Sequence, residues 1–163
     1  MKHKAGYVNI IGNPNVGKST LMNALIGQKL SIITHKAQTT RHRILGILNE
    51  KDFQIVFSDT PGVIEPEYKL QESMMNFVYS AFQDADVLIY MIEVGEQGLK
   101  DQELFKRLKK IDVPVLMLLN KIDLVDQEKV LQEIDIWKNK LPKAEVLPIS
   151  ALNGFNVKDC LLY

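Results

Sequence analysis

The sequence of 163 residues has few of the features that disulfide-bonded, zinc-binding or membrane-spanning proteins need. The single cysteine, Cys160, excludes an internal disulfide and a cysteine-rich zinc site. The three histidines, His3, His35 and His42, show no metal-ligand spacing. The longest apolar stretches, such as Val113 to Leu119, are far below the ~18 residues of a membrane span, and no signal-peptide core is present. We therefore expect a soluble cytoplasmic protein.

The charge balance also excludes some functions. Lys and Arg together number 20, and so do Asp and Glu, so the net charge is zero. A neutral chain argues against binding nucleic acid over its whole surface. One predicted helix carries a local run of basic residues, namely Lys106, Arg107, Lys109 and Lys110. We expect this run to be either a solvated helix face or a small RNA contact. The length predicts one domain, residues 1–163, acting as a monomer.

Short apolar runs alternate with segments of helical spacing. The predicted strands are Tyr7–Ile11, Phe53–Phe57, Val87–Ile92, Val115–Leu119 and Val146–Ile149, with a weaker candidate at Ile44–Leu48. Three amphipathic stripes predict helices within 70–82, 104–111 and 130–141, the last with Asp126 as N-cap. The runs are continuous rather than alternating, which is typical of strands covered on both faces. The pattern predicts an α/β fold, a mostly parallel sheet with helices on both faces.

The first strand leads into a phosphate-binding motif. The chain reads Gly12-Asn13-Pro14-Asn15-Val16-Gly17-Lys18-Ser19, a full match to G-x-x-x-x-G-K-[ST]. A helix predicted at Thr20–Ile26, ended by Gly27, would direct its N-terminus at the same anion. Lys18 is expected to reach the β- and γ-phosphates and the Ser19 hydroxyl to bind Mg²⁺. The predicted nucleotide contacts here are Gly12, Asn13, Asn15, Val16, Gly17, Lys18, Ser19 and Thr20; the alternative is a glycine-rich turn without a ligand.

A second motif, Asp59-Thr60-Pro61-Gly62, follows the Phe53–Phe57 run. The Asp59 carboxylate can hold magnesium through water, and the Gly62 N–H can bind the γ-phosphate. Alone the pattern is most often a turn, but its place one strand beyond the phosphate loop favours a nucleotide site.

A third motif predicts which base is bound. Asn120-Lys121-Ile122-Asp123 ends the Val115–Leu119 run, and Ser150-Ala151-Leu152 follows the last run. Asp123 can accept hydrogen bonds from guanine N1–H and the 2-amino group, which adenine cannot supply. Lys121 can lie along the base plane, Asn120 can brace the phosphate loop, and the segment at Ser150 can offer a backbone N–H to the guanine carbonyl. The alternative for Asn120–Asp123 alone is a charged turn, but the order of the motifs indicates a guanine nucleotide.

With these motifs the sequence resembles the translation-factor-type P-loop GTPases of the TrmE–Era–EngA group, from Tyr7 to about Leu162. The stretch Lys36-Ala37-Gln38-Thr39-Thr40-Arg41-His42-Arg43-Ile44 resembles the first switch of its Era-like members, although another member of the group stays an alternative. The resemblance implies six strands and five helices, and Thr40 as a magnesium ligand in the GTP state, with Thr39 the second choice.

The resemblance also implies partners. Era-like proteins act in maturation of the small ribosomal subunit and bind 16S rRNA mainly through a KH domain, which nothing in this sequence resembles. Peripheral association with the inner membrane is a further implication. We expect the last helix to be short after Val157, with less order towards the C-terminus.

The predicted mechanism is magnesium-dependent phosphoryl transfer to water, with Lys18, Thr40, Gly62 and Asn15 as candidate catalytic residues. Val63 stands where Ras-like enzymes carry glutamine, and it has no polar atom to orient water. The Asn15 amide oxygen is a candidate ligand for K⁺, or else stabilises the loop turn. Arg41 and Arg43 are either solvated, partner-bound or a source of charge in cis.

Two segments without regular patterning, 28–43 and 61–69, are predicted to be mobile switches. The leading hypothesis is a GTP-hydrolysing molecular switch. The alternatives are a nucleotide-gated binding module with negligible hydrolysis and a P-loop kinase, although a kinase would not explain Asn120–Asp123.

Overall fold

Strands and helices alternate along the chain, as the apolar runs predict. The structure is a computed structural model that describes residues 2–27 and 40–163. In chain order the elements are β1 (Lys4–Ile11), α1 (Lys18–Ile26), β2 (Ile44–Asn49), β3 (Phe53–Asp59), α2 (Lys69–Gln83), β4 (Val87–Glu93), α3 (Gln102–Lys110), β5 (Val115–Asn120), α4 (Gln127–Lys140) and β6 (Glu145–Pro148). Two short 3₁₀ helices add Ile122–Leu124 and Lys158–Leu162.

The six strands form one sheet in the order β2-β3-β1-β4-β5-β6. All neighbours are parallel except β2 and β3, whose antiparallel register places Ile44 opposite Asp59. The carboxyl ends of β1, β3, β4, β5 and β6 therefore meet at one edge, where ligands bind in such folds. The predicted mostly parallel, six-stranded sheet is confirmed, including the weaker candidate strand β2.

Each face of the sheet carries its own apolar core. Leu21, Met22 and Leu25 of α1 pack on one face against strand residues that include Ile10 and Phe57. Residues of α2, α3 and α4 cover the other face, where Trp137 packs edge to face against both Tyr90 and Phe105. The predicted helices on both faces, hence three layers, are confirmed.

Two of the predicted helix-end residues, Asp126 and Gly27, agree with the structure, and the predicted start of α1 differs from it. Asp126 caps α4 by accepting a hydrogen bond from the Lys129 N–H at 2.8 Å. Gly27 ends α1 in the left-handed region at φ 75°. Helix α1 begins at Lys18 rather than at Thr20, because Gly17 is its N-cap.

The helix count differs from the five that the family resemblance implies. Within residues 2–27 and 40–163 there are four α-helices, and the segment after Val157 is the five-residue 3₁₀ helix Lys158–Leu162. A 3₁₀ helix is held by i to i+3 bonds, here from the Cys160 N–H to the Val157 carbonyl at 3.2 Å. No helix in the described part of the chain is long and apolar enough to cross a membrane.

Candidate functional site

The loop between β1 and α1 packs so closely against β4 and β5 that two of its positions have no room for a side chain. A β-carbon on Gly12 would collide with the Met91 carbonyl oxygen of β4. Gly17 has a φ of 106°, and a β-carbon there would collide with the Asn120 amide nitrogen. These contacts fix the loop against β4 and β5, and the motif glycines are required for that approach.

Lys18 directs its ammonium group into this loop. Its Nζ donates to the carbonyls of Gly12 at 3.0 Å and Asn13 at 2.7 Å, and the residue is 6% exposed. Burial lowers the pKa of Lys18 to about 8, against the opposing effect of the Asp59 and Glu96 carboxylates. The group is a desolvated cation placed beside loop backbone, where it can bind an anion.

Three oxygen-bearing side chains from different elements meet next to Lys18. Ser19 Oγ donates to Asp59 Oδ2 at 2.7 Å and lies 3.3 Å from Thr40 Oγ1. Asp59 is fully buried and Thr40 is 8% exposed. Two hydroxyls and one carboxylate are the hard oxygen donors that Mg²⁺ prefers, with room for phosphate and water ligands. All three predicted magnesium ligands therefore converge, and these donors fit that ion.

The segment after β3 lies against the phosphate loop. The Thr60 hydroxyl donates to the Ile10 carbonyl at 2.7 Å, and the Val63 N–H donates to the Gly12 carbonyl at 2.9 Å. A β-carbon on Gly62 would meet the Pro14 backbone at 2.7 Å. Val63 is fully buried in the core beneath α2, so the position that carries glutamine in Ras-like enzymes contributes no group to the site.

Asn120, at the end of β5, joins the loop to the β6 side of the site. Its Nδ2 donates to the Val16 carbonyl at 2.7 Å, and its Oδ1 accepts from the Ala151 N–H at 2.9 Å. Lys121 Nζ donates to the Asn15 carbonyl at 2.8 Å and pairs with Glu93 at 2.5 Å. The bracing role predicted for Asn120 is therefore present in the structure.

Asp123 lies at the open side of the site. It is exposed within the 3₁₀ turn Ile122–Leu124, and its Oδ1 accepts from the Ser150 hydroxyl at 2.9 Å. In this structure the Ala151 N–H is directed at Asn120, and Leu152 is 81% exposed. The Ser150 hydroxyl thus orients the carboxylate predicted to bind the base. Motif spacing did not indicate this side-chain contact.

Residues 7–121 match the family described as 50S ribosome-binding GTPase. The chain belongs to this GTPase family.

GTPase Era of Staphylococcus haemolyticus (strain JCSC1435) is 43% identical over 157 residues, which are 96% of this chain and 52% of that protein. A crystal structure of Era with MgGDPNP and nucleotides 1506–1542 of 16S ribosomal RNA has a TM-score of 0.91 at 42% identity, covering 98% of this chain and 55% of that one. An Aquifex aeolicus Era variant bound to GDP·AlF4⁻ has a TM-score of 0.90 at 43% identity, covering 99% and 56%. The chain thus spans about half the length of these relatives, and its resemblance to Era is confirmed over that half.

The structure of this GTPase-family chain adds site residues that motif spacing did not indicate. The Asn13 side chain donates to the Gly98 carbonyl at 2.8 Å and accepts from the Lys100 N–H at 2.9 Å, so it holds the phosphate loop to the β4–α3 loop. Glu96 of that loop is largely buried; burial and the nearby Glu93 raise its pKa to about 7. Its place after a strand end is the one sequence signal that marks it.

Arg43 and Arg41 differ in their surroundings. Arg43 binds Asp84 through both terminal nitrogens, at 2.6 and 3.1 Å, so we assign it no charge-donating role at the phosphates. Arg41 is exposed. Thr39 and most of the first predicted switch fall within 28–39, outside the described residues.

Proposed function

We propose that this chain binds GTP and GDP with Mg²⁺ and hydrolyses GTP, as an Era-like molecular switch. The observation that carries the proposal is the convergence of Ser19, Thr40 and Asp59 beside Lys18, at the same sheet edge as Asn120 and Asp123. Phosphoryl transfer depends mostly on positioning and charge neutralisation, so a rigid loop with a buried cation and an oxygen cluster suits it.

At the phosphates, the loop 12–17 offers backbone N–H groups, and α1 adds the positive end of its dipole. Lys18 exchanges its Gly12 and Asn13 carbonyl contacts for β- and γ-phosphate oxygens. Gly62 lies against Pro14 and presents its N–H to the γ-phosphate. Ser19, Thr40 and Asp59 would hold Mg²⁺, which would supply positive charge to neutralise the phosphates.

At the base, Asp123 accepts two hydrogen bonds from guanine and Ser150 keeps its carboxylate in place. Adenine would leave that carboxylate without donors, a mismatch that sites of this kind reject strongly. Lys121 lies along the base while its Nζ donates to the Asn15 carbonyl. The backbone at Ser150, Ala151 and Leu152 offers an N–H to the guanine carbonyl. Asn120 keeps the base and phosphate halves in fixed relation.

Asn15 is the proposed ligand for K⁺. It is a non-glycine residue at φ 61°, in the left-handed region, and Lys121 fixes its carbonyl at 2.8 Å. A monovalent ion on the Asn15 amide oxygen would supply the positive charge that other GTPases take from an arginine finger. Val63 is apolar and buried and Arg43 is bonded to Asp84, which supports the proposal that the charge comes from another source.

The wider role is proposed from the Era relatives. One of them is solved with nucleotides of 16S ribosomal RNA, so we propose a role in small-subunit maturation in the cytoplasm. The chain, residues 1–163, would act there as a monomeric GTPase domain, with the main RNA contact made by a KH domain and with peripheral attachment at the inner membrane.

A second candidate function is a nucleotide-gated binding module without significant hydrolysis. The buried, apolar Val63 favours it, because no described side chain takes the place of the water-orienting glutamine. Single-turnover phosphate release from GTP, with Mg²⁺ and K⁺ present, separates the two. The GTPase proposal expects release by the parent and none by Lys18→Ala, with the exposed Asp135→Asn variant as the unchanged control. Binding of GTP without release over hours would favour the module.

A further inference from the structure

Arg43 is an extensively hydrogen-bonded side chain outside the nucleotide site. Its five hydrogen bonds join three elements of the fold. They reach Ser58 Oγ at 2.9 Å, Ser80 Oγ at 3.3 Å, Asn9 Oδ1 at 3.2 Å, and the two oxygens of Asp84 at 2.6 and 3.1 Å. The planar guanidinium is the cation suited to such a fork.

The network closes on itself. Asn9 is fully buried, accepts from Arg43, and donates to Asp84 Oδ1 at 2.6 Å. Asp84 is the C-cap of α2, where the helix dipole disfavours a carboxylate and favours a cation. Partial burial raises the pKa of Asp84, but hydrogen bonds from Arg43 and Asn9 outweigh that effect and hold it below its ordinary value. Arg43 therefore stabilises the charged Asp84 carboxylate at a helix end that would otherwise disfavour it.

This network lies directly beside the magnesium ligands. Arg43 is three residues after Thr40, and it bonds Ser58, the neighbour of Asp59. The next residue, Ile44, is opposite Asp59 in the sheet. Between Thr40 and Arg43 in the chain, the His42 ring packs edge to face on the Phe77 ring of α2, with the ring centroids 5.6 Å apart. Two of the three residues that lead from Thr40 into β2 are thus attached to α2.

We propose that Arg43 is a positioning residue: through Asp84, Asn9 and Ser58 it fixes the start of β2 on α2 and so holds Thr40 beside Ser19 and Asp59. The helix that follows the Asp59–Gly62 motif and the segment that carries Thr40 are then mechanically joined. This inference rests on the proposed function, because it concerns the metal ligand needed in the triphosphate state.

The test is the affinity for fluorescent GDPNP and GDP, each titrated with Mg²⁺, for the parent, Arg43→Gln, the near-isosteric Asp84→Asn, and the double variant. We expect each single variant to weaken magnesium-dependent GDPNP binding by about tenfold, a coupling usual for residues in contact, and to leave GDP within about twofold. The double variant should be no weaker than either single one. Arg107→Gln, which removes an α3 arginine that lies over the Tyr79 ring of α2, should match the parent.

Combining Arg43→Gln with Thr40→Ala gives the decisive cycle. If Arg43 acts through Thr40, its replacement has no further effect once the Thr40 hydroxyl is gone. Equal losses for GDP and GDPNP, or additive losses with Thr40→Ala, would mean a purely structural role and overturn the inference while the parent still binds both nucleotides. A parent that binds neither nucleotide would overturn the proposed function itself, and the inference with it.

Discussion

Gly17 and Asn120 occupy adjoining space: the α-carbon of the loop glycine lies where any β-carbon would strike the Asn120 amide nitrogen. That amide nitrogen is the donor to the Val16 carbonyl. The glycine of the phosphate motif and the asparagine of the base motif are therefore parts of one contact, although 103 residues separate them in the sequence.

The two ends of α1 offer a matched test of this contact. Gly17 and Gly27 both have positive φ, at 106° and 75°, but nothing lies within 4 Å of a β-carbon on Gly27. Gly17→Ala should lower GDP affinity by about 100-fold, because both strain and collision displace Asn120. Gly27→Ala should cost about 1 kcal/mol in unfolding free energy and leave the affinity unchanged. Similar GDP affinities for both variants, measured by fluorescence titration, would contradict the role given to the contact.

The base assignment predicts a change of nucleotide preference. Asp123→Asn replaces two acceptors with one acceptor and one donor, which suits the 2-carbonyl of xanthine. GTP affinity should fall by about 100-fold, because asparagine can no longer accept from both guanine donors. Xanthosine triphosphate affinity should rise, because the asparagine amide can donate to the 2-carbonyl of xanthine. Asp135→Asn on the exposed face of α4 serves as control. Unchanged GTP affinity in Asp123→Asn would show that the base lies elsewhere.

The proposed K⁺ site predicts cation-dependent turnover. Steady-state hydrolysis in KCl should exceed that in NaCl at equal ionic strength by about tenfold or more, since the ion adds charge at the transferring phosphate. Asn15→Ala should remove this difference and keep the rate in NaCl. The exposed Asn49→Ala variant should keep the difference. Equal parental rates in the two salts would reject the site.

Glu96 predicts a pH-dependent stability. Its Oε2 is buried with no hydrogen-bond partner among the described residues, and burial raises the pKa from an ordinary 4.5 to about 7. The folded protein therefore holds a proton that the unfolded chain releases, and this carboxyl destabilises the fold progressively as pH rises from 4.5 through 7.

Glu96→Gln should accordingly be more stable than the parent at pH 8 by on the order of 2 kcal/mol, with the difference falling below about 1 kcal/mol at pH 5. Urea denaturation of the nucleotide-free protein at both pH values measures this. Glu145→Gln on the exposed edge of β6 is the control. A variant less stable than the parent at pH 8 would contradict the direction of the shift.

The sequence alone was sufficient for the elements and motifs whose signal is local. The continuous apolar runs predict the strands, and the parallel sheet then places Lys18, Asp59, Asn120 and Asp123 at one edge. The hydrogen bonds from Asn13 to the β4–α3 loop were not predictable, because their partners lie 85 and 87 residues away in the chain. The same holds for Arg43, whose partner Asp84 lies 41 residues away. These partners share no sequence pattern. Glu96 differs: it follows β4 at the same edge, and the carboxyl-end rule applied to every strand would have marked it.

We propose that one site of this chain both selects guanine and binds its phosphates together with Mg²⁺. Isothermal titration of the chain with GTP, GDP and ATP, each with and without Mg²⁺, tests it most directly. We expect tight, magnesium-dependent binding of GTP, binding of GDP, and no measurable heat from ATP. ATP binding as tight as GTP binding, or no heat from any of the three, would contradict it.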